Sequence, residues 1–246
     1  MQRYFLDEVP TGEEFQLPEK VAHHFITVLR SREGSQAEFV LPNRQEIIIA
    51  KVVRFELDRP IMAIVSRQEA HVELPVDTTI IIGLSKGDKP ELVVQKATEL
   101  GVHHIIIVET AWSVVHWGQK AAKKITRLNK IATSAAEQAH RLRIPDVSYV
   151  ASLADLVVDS TVKLVAWEES AKQGETGQLV QQLNTLRPDD SISFLFGPEG
   201  GLSSQEVDTL VKQGFVPVGL GPRILRAETA PLYALSTLSY VIELNI

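Results

Sequence analysis

Short stretches of alternating apolar and polar residues dominate the first 72 residues. Residues 36–41 and 46–55 show this period of two and flank a Pro-Asn-Arg turn sequence, so they predict a hairpin. Residues 61–65 predict another strand, whereas residues 17–30 carry apolar residues at helical spacing. Short strands around one helix are typical of a small β-barrel. We therefore expect residues 1–72 to form a barrel domain.

After Pro75 the pattern changes to apolar strands that alternate with amphipathic helices. Such alternation predicts a parallel sheet covered by helices on both faces, because parallel strands need crossover connections. The expected fold class is α/β, with residues 73–246 as the second domain. Ser203 begins a capping-box sequence, and Thr229 is the predicted cap of the last helix. The predicted strands are 78–84, 103–108, 162–167, 192–196 and 215–219, and the predicted helices are 90–100, 119–139, 203–212 and 230–242.

Two glycine-marked turns, each between a predicted strand and a predicted helix, carry the candidate chemistry. The first is Phe196-Gly197-Pro198-Glu199-Gly200-Gly201, and the second runs from Leu220 through Ala230. Successive turns at the carboxyl ends of parallel strands form a ligand crevice. Their glycines let the backbone approach a ligand closely. The apolar pair Ile224-Leu225 beside exposed amides suits a flat heterocycle such as adenine.

The composition excludes several classes of protein and site. Apolar residues make up 44% of the 246 residues, enough for a sizeable core, but no apolar run approaches the length of a membrane span. With no signal-peptide pattern, we expect a cytoplasmic protein with no membrane partner. There is no cysteine, and the seven histidines lack metal-ligand spacing, so we expect no metal. The Walker A sequence of phosphate-binding loops and the Gly-x-Ser-x-Gly sequence of a nucleophile elbow are absent. Ile224 replaces the third glycine of a dinucleotide fingerprint, which argues against a Rossmann cofactor site.

The net charge of −6 argues against nucleic acid, but the charge is unevenly distributed. Residues 120–143 hold seven basic residues and one acidic residue, Glu137. A concentrated basic stretch can bind phosphates even on an acidic protein, although a solvated helix face would have the same composition.

The two glycine turns resemble the signature of the knotted SPOUT methyltransferases, and most closely that of the bacterial 16S ribosomal RNA uracil-N3 methyltransferases. Three further segments agree: residues 95–102, residues 135–145, and His24 with residues 28–30. The resemblance covers nearly the whole chain. Where the family usually has an arginine before Ser113, this chain has Trp112.

The resemblance implies a PUA-like N-terminal barrel that binds RNA, a C-terminal trefoil knot and a homodimer. It also implies S-adenosylmethionine as methyl donor and the small ribosomal subunit as partner. Residues 168 and 169, after the strand that begins at Val162, would close a third side of the cofactor site. On this pattern the cofactor-binding residues are Trp167, Phe196, Gly197, Pro198, Glu199, Gly200, Gly201, Leu220, Gly221, Ile224, Leu225, Arg226, Thr229 and Ala230.

Methylation of uracil N3 requires that negative charge on the base be stabilised and that a proton leave. Arg226 is the first candidate for charge stabilisation and Arg141 the second. Glu228 is a candidate base, although a salt bridge to an arginine is an equal alternative. The residues expected to contact RNA are Arg3, His24, Arg30, Lys123, Lys124, Arg127, Arg141 and Arg143.

Two other functions fit the same sequence. A knotted methyltransferase could act on another RNA position, such as a ribose 2′-hydroxyl. A non-catalytic RNA-binding protein could also retain the fold.

Overall fold

The computed structural model describes residues 1–172 and 177–244. Contacts between Cα atoms divide the chain into two compact units. The first contains Met1–Glu73 and Glu137–Arg143, and the second contains Leu74–Ala136 and Ile144–Ile246.

The first unit is built on a five-stranded mixed sheet of order β1-β3-β4-β5-β2. β1 is parallel to β3, and the other neighbouring strands are antiparallel. A short helix, α1 (Glu19–His23), continues into a π-helical turn at His24–Val28. The strands are β1 (Arg3–Phe5), β2 (Glu14–Gln16), β3 (Gln36–Val40), β4 (Glu46–Glu56) and β5 (Arg59–Glu69).

Three aromatic side chains lie among the aliphatic residues of the core of the first unit. Tyr4, Phe25 and Phe39 are fully buried, and the Tyr4 and Phe39 rings stack with centroids 5.9 Å apart. The Tyr4 hydroxyl forms a 2.9 Å hydrogen bond with Nδ1 of His24, so its polar end has a partner. Burial raises the pKa of Tyr4 above its ordinary value, with a smaller contribution from the charge of Glu137.

The second unit contains a six-stranded sheet of order β11-β9-β10-β6-β7-β8, and every neighbouring pair is parallel. The α/β class and the parallel sheet predicted from the sequence are therefore confirmed. β10 lies in the middle, between β9 and β6. The strands are β6 (Asp77–Gly83), β7 (His104–Val108), β8 (Asp146–Val150), β9 (Val162–Ala166), β10 (Ser191–Phe196) and β11 (Val216–Val218).

Proline, glycine and capping residues mark the ends of two principal helices. α2 (Lys89–Glu99) has Pro90 in its first turn and is followed by Gly101 at φ +90°, a conformation that favours glycine. The predicted capping box is present, because Ser203 and Glu206 cap each other's backbone at the start of α6 (Ser204–Lys212). The other helices are α3 (Ala121–Gln138), α4 (Glu168–Lys172), α5 (Gln178–Leu183) and α7 (Thr229–Ser239). A 3₁₀ turn at Gly118–Lys120 precedes α3, and a π-helical turn at Tyr240–Leu244 extends α7.

Both faces of this sheet are buried. Along β10, Phe194 and Phe196 pack into the core on the side of α2 and α7, whereas Leu195 packs on the side of α6. Burial on both faces explains why the end of the strand, residues 194–196, is apolar at consecutive positions. In the described part of the chain, no helix has the length and apolarity to cross a membrane.

The structure corrects two details of the predicted elements. Thr229 is the first helical residue of α7 rather than its cap, and the residue before it, Glu228, makes no side-chain capping bond. The helix ends at Ser239, before the π-helical turn. The strand β8 was not predicted, because its five residues include polar Ser148 and only their pairing with β7 distinguishes them from a loop.

Leu164→Ala should destabilise the second unit, since Leu164 is fully buried on β9, between β10 and the edge strand β11. We expect a loss of about 2–5 kcal/mol in the free energy of unfolding, measured by urea denaturation. Val157→Ala is the control, because that side chain is 88% exposed. Equal effects of the two substitutions would contradict the assigned core.

Candidate functional site

The two glycine turns meet around one cavity of about 660 Å³ at the carboxyl ends of the parallel strands. The turn after β10, residues 197–201, forms one wall, and the segment after β11, residues 220–227, forms another. Ala166, at the end of β9, and the first residues of α4 form a third. Because β9, β10 and β11 are parallel and close together in the sheet, their carboxyl-terminal loops converge.

Every residue predicted to bind the cofactor lines this cavity except Thr229, which lies in the first turn of α7. Trp167, Glu168 and Glu169 also line it, as the sequence predicted for the third side. The cofactor contacts themselves remain predictions. The sequence did not single out Lys89, Ala166 or Leu202, which contribute to the same lining, and it marked Trp112 only as a departure from the family pattern.

Close backbone approaches fix the first wall. A Cβ atom added to Gly83, the last residue of β6, would come closer to the Pro198 ring than real Cβ atoms do. A Cβ atom on Gly197 would lie 2.7 Å from the carbonyl carbon of Gly201. The turn can therefore fold onto itself and onto β6 only with glycine at these positions. Gly83 could not be identified from the sequence, because it resembles an ordinary end of an apolar strand.

Trp112 stands at the edge of the first wall with 49% of its surface exposed. Gly200 lies against it, since an added Cβ atom would be 3.1 Å from the Trp112 Cβ. The neighbouring backbone is anchored: the Ala111 N–H donates to Oε1 of Glu206 at 2.8 Å, while Oε2 of Glu206 accepts from the Ser203 N–H. A large aromatic side chain is thus held beside the cavity mouth with half of its surface available to a ligand.

Lys89, the first residue of α2, joins the two glycine segments. Its Nζ donates to Oε1 of Glu199 at 2.9 Å and lies 3.4 Å from Oε2 of Glu228. The Lys86 backbone N–H also donates to Glu199, at 3.3 Å. Glu199 belongs to the first segment and Glu228 to the second, so one ammonium group holds a carboxylate from each.

The protonation of this group follows from its contacts. The hydrogen bond to Glu199, opposed by desolvation, raises the pKa of Lys89. Burial alone would raise the pKa of Glu199, but the hydrogen bonds from Lys89 and from backbone amides outweigh it and lower that pKa. Lys89 and Glu199 therefore both remain charged at neutral pH.

The three predicted catalytic residues are placed differently. Arg226 is exposed and lines the cavity, and within the described residues its side chain has no ion pair. Glu228 does not line the cavity and faces Lys89 instead. Arg141 is in the first unit and is 3% exposed.

Arg141 and Arg3 are buried in this structure, whereas the sequence predicted that both contact RNA; that contact stays a prediction. Arg141 donates to both carboxylate oxygens of Glu73, with Nε 3.1 Å from Oε2. Arg3 is 5% exposed, pairs with Glu38 at 2.8 Å and donates to the His140 carbonyl oxygen. Both guanidinium groups are used inside the first unit, because a buried charge needs partners. Their role in this structure is to hold residues 137–143 in place.

The other predicted RNA contacts differ in exposure. Arg30, Lys123 and Lys124 are exposed, and Arg127 is exposed but donates to Glu91 at 2.8 Å. His24 and Arg143 are partly buried. RNA binding by these residues remains a prediction.

Comparison with known proteins gives the class and then the family. Residues 72–239 match the family model described as the RNA methyltransferase domain. The Ribosomal RNA small subunit methyltransferase E of Bacillus subtilis is 41% identical to this chain, over 99% of this chain and 98% of the relative. The chain belongs to the ribosomal RNA small subunit methyltransferase E family of SPOUT methyltransferases, as the resemblance predicted.

Two solved structures support the same relationship. A Ribosomal RNA small subunit methyltransferase E from Neisseria gonorrhoeae, bound to S-adenosyl methionine, aligns with a TM-score of 0.81 at 29% identity, over 98% of each chain. A putative methyltransferase from Legionella pneumophila, in complex with the bound cofactor SAM, aligns with a TM-score of 0.79 at 28% identity, over 96% of each chain.

Lys89→Met should weaken binding of S-adenosylmethionine, the cofactor predicted from the sequence. Without the ammonium group, Glu199 and Glu228 lose their shared cation, and the two walls are no longer tied together. We expect the Kd measured by calorimetry to rise about tenfold, equivalent to about 1.4 kcal/mol. Lys96→Met is the matched control, since Lys96 is on the same helix and pairs only with Glu99 among the residues described. An unchanged Kd for Lys89→Met would contradict the role of Lys89 in holding the two walls together.

Proposed function

We propose that this chain transfers a methyl group from S-adenosylmethionine to N3 of a uridine in the 16S ribosomal RNA of the small ribosomal subunit. The observation that carries the proposal is the convergence of both glycine segments on a single cavity. The names of the relatives support small-subunit RNA as substrate, and two related structures contain the cofactor. The choice of uracil N3 rests on the resemblance of the two glycine segments.

The cavity fits S-adenosylmethionine in size and chemistry. Its volume of about 660 Å³ lies within the usual range for sites that bind small molecules. Main-chain groups of residues 197–201 and 220–225 would hold the heterocycle, with Leu220 and Leu225 as apolar contacts. Glu168, Glu169 and Glu199 place carboxylates in the lining, which suits a ligand with a sulfonium and an ammonium group.

In the proposed reaction this chain orients the base and stabilises its charge. The bound cofactor supplies an electrophilic methyl group: as a bond forms from N3 to the methyl carbon, the carbon–sulfur bond breaks and its electron pair stays on sulfur. Arg226 stabilises the negative charge on the uracil oxygens as the N3 proton is lost. Glu228 has a positioning role through Lys89, because it does not line the cavity. The proton passes to water at the exposed mouth.

The same proposal includes a trefoil knot and a PUA-like barrel. After the edge strand β11, the chain returns to α7, which packs against α2 and β10. The intervening residues 219–228 therefore cross the carboxyl ends of β9 and β10, where a knot would form. The five-stranded mixed sheet with α1 supports the assignment of the first unit as the RNA-binding barrel.

We also propose a homodimer formed through the second unit. Leu92 on α2, Tyr233 on α7 and Tyr240 in the following turn are each at least 40% exposed. The packing of α2 against α7 brings these elements together, and an exposed apolar face of this kind suits a subunit interface.

Nucleoside mass spectrometry of ribosomal RNA tests the activity. A strain that lacks this gene should lose 3-methyluridine from its 16S RNA, and purified protein with S-adenosylmethionine should restore it to isolated small subunits. Loss of a 2′-O-methylated nucleoside instead would favour the alternative RNA target. If calorimetry detects no binding of S-adenosylmethionine, the chain is a non-catalytic RNA-binding protein.

Arg226→Ala should abolish methyl transfer while the Kd for S-adenosylmethionine changes only several-fold. Loss of one preorganised donor to a developing charge typically lowers kcat by about 100- to 1000-fold. Arg226→Lys should recover only part of the rate, because an ammonium group lacks the planar fork of guanidinium. Arg187→Ala is the control, since Arg187 is exposed in the loop that precedes β10, at the opposite end of that strand. Near-normal turnover by Arg226→Ala would remove Arg226 from the mechanism.

A further inference from the structure

A small cavity of the second unit, lined in part by the loop before α2, carries an excess of positive charge. It has a volume of about 70 Å³, and we call it the basic hollow. Its charged lining consists of Lys86 from the loop between β6 and α2, Glu91 from α2, and Lys124 and Arg127 from α3. Trp117 contributes an apolar wall.

The charges in the basic hollow are not balanced internally. Arg127 donates to Oε2 of Glu91 at 2.8 Å, so these two side chains neutralise each other. Within the described residues, Lys86 and Lys124 form no ion pair. Two ammonium groups left beside one cavity repel each other, and an anion bound between them would relieve the repulsion.

The size and walls of the basic hollow favour a small anion. A water molecule in the liquid takes up about 30 Å³, so 70 Å³ admits a group of a few heavy atoms, such as one phosphate. Trp117 is 8% exposed and stacks on Tyr149 with centroids 5.5 Å apart, which makes that wall rigid and apolar. Low-dielectric surroundings strengthen the attraction between the lysines and an anion.

The basic hollow and the large cavity share one segment of chain. Lys86 lines the basic hollow, while its backbone N–H donates to Glu199 of the large cavity at 3.3 Å. Three residues further on, Lys89 lines the large cavity. One stretch of chain, residues 86–89, thus contributes a lysine to each cavity.

We propose that the basic hollow binds a backbone phosphate of the RNA substrate next to the target nucleotide, with Lys86 and Lys124 as its ligands. This rests on the proposed function and assigns Lys86 a role that the sequence did not suggest. Phosphate contacts set the position of a strand without reading its sequence. The two lysines would thus fix the register in which the target base reaches Arg226.

The test compares Lys86→Gln and Lys124→Gln with the wild-type protein, using small ribosomal subunits from the deletion strain and saturating S-adenosylmethionine. Each variant should raise KM for the subunits about five- to tenfold. The magnitude of the slope of log K against log[salt], where K is the association constant for the subunits, should fall by about one. The kcat at saturating subunits and the Kd for S-adenosylmethionine should stay within twofold. Lys86→Arg and Lys124→Arg should retain the wild-type salt slope.

Lys212→Gln provides the matched control, because Lys212 is an exposed lysine at the end of α6 and lines neither cavity. Unchanged KM and salt slope in both hollow variants would overturn the phosphate site while leaving the proposed function intact. If the wild-type protein binds subunits without methylating them, the proposed function fails, and the salt slopes still decide whether the basic hollow binds phosphate.

Discussion

The candidate site depends on the parallel pairing of β10 with β6 and β9 in the middle of a sheet that is buried on both faces. This pairing places the carboxyl end of β10 beside those of β6 and β9. The turn after β10 must then pack against Gly83, where no side chain fits. Any shift in register would move Pro198 and Gly197 away from the segment after β11 and open the cavity. The fold therefore fixes the site through strand registry and close backbone contact.

Ion pairs between side chains stabilise each of the two units. Lys89 bridges Glu199 and Glu228, which come from different turns, and the charged pair Lys89–Glu199 is maintained at neutral pH by its own hydrogen bonds. In the first unit, Arg3 and Arg141 are likewise paired with carboxylates, and both are buried. Charges with partners in these places stabilise structure. Arg226, Lys86 and Lys124 form no ion pair within the described residues, and they are the groups that we propose act on the anionic substrate.

Much of the second unit could be predicted from local pattern. Parallel strands covered on both faces are rich in apolar residues at consecutive positions, so β6, β7, β9 and β10 were evident. The Ser203 capping box marked α6 directly. The strand β8 was missed because only its pairing with β7 distinguishes it from a loop. In the first unit the β3–β4 hairpin followed from its turn sequence, whereas β2 has three residues and no pattern of its own.

The two glycine segments and the family to which they belong are evident from the order of amino acids, because glycine and proline restrict the backbone wherever they occur. The side chains that gather around those segments are known only once the chain is folded. Lys89 and Trp112 line the cavity and Gly83 packs against its first wall, all from elements far away in the chain, and no local spacing indicates such an approach. Arg141 shows the converse: the sequence places it in a basic stretch, but folding buries it against Glu73. A side chain's role depends on its neighbours in space, and long-range packing sets those neighbours.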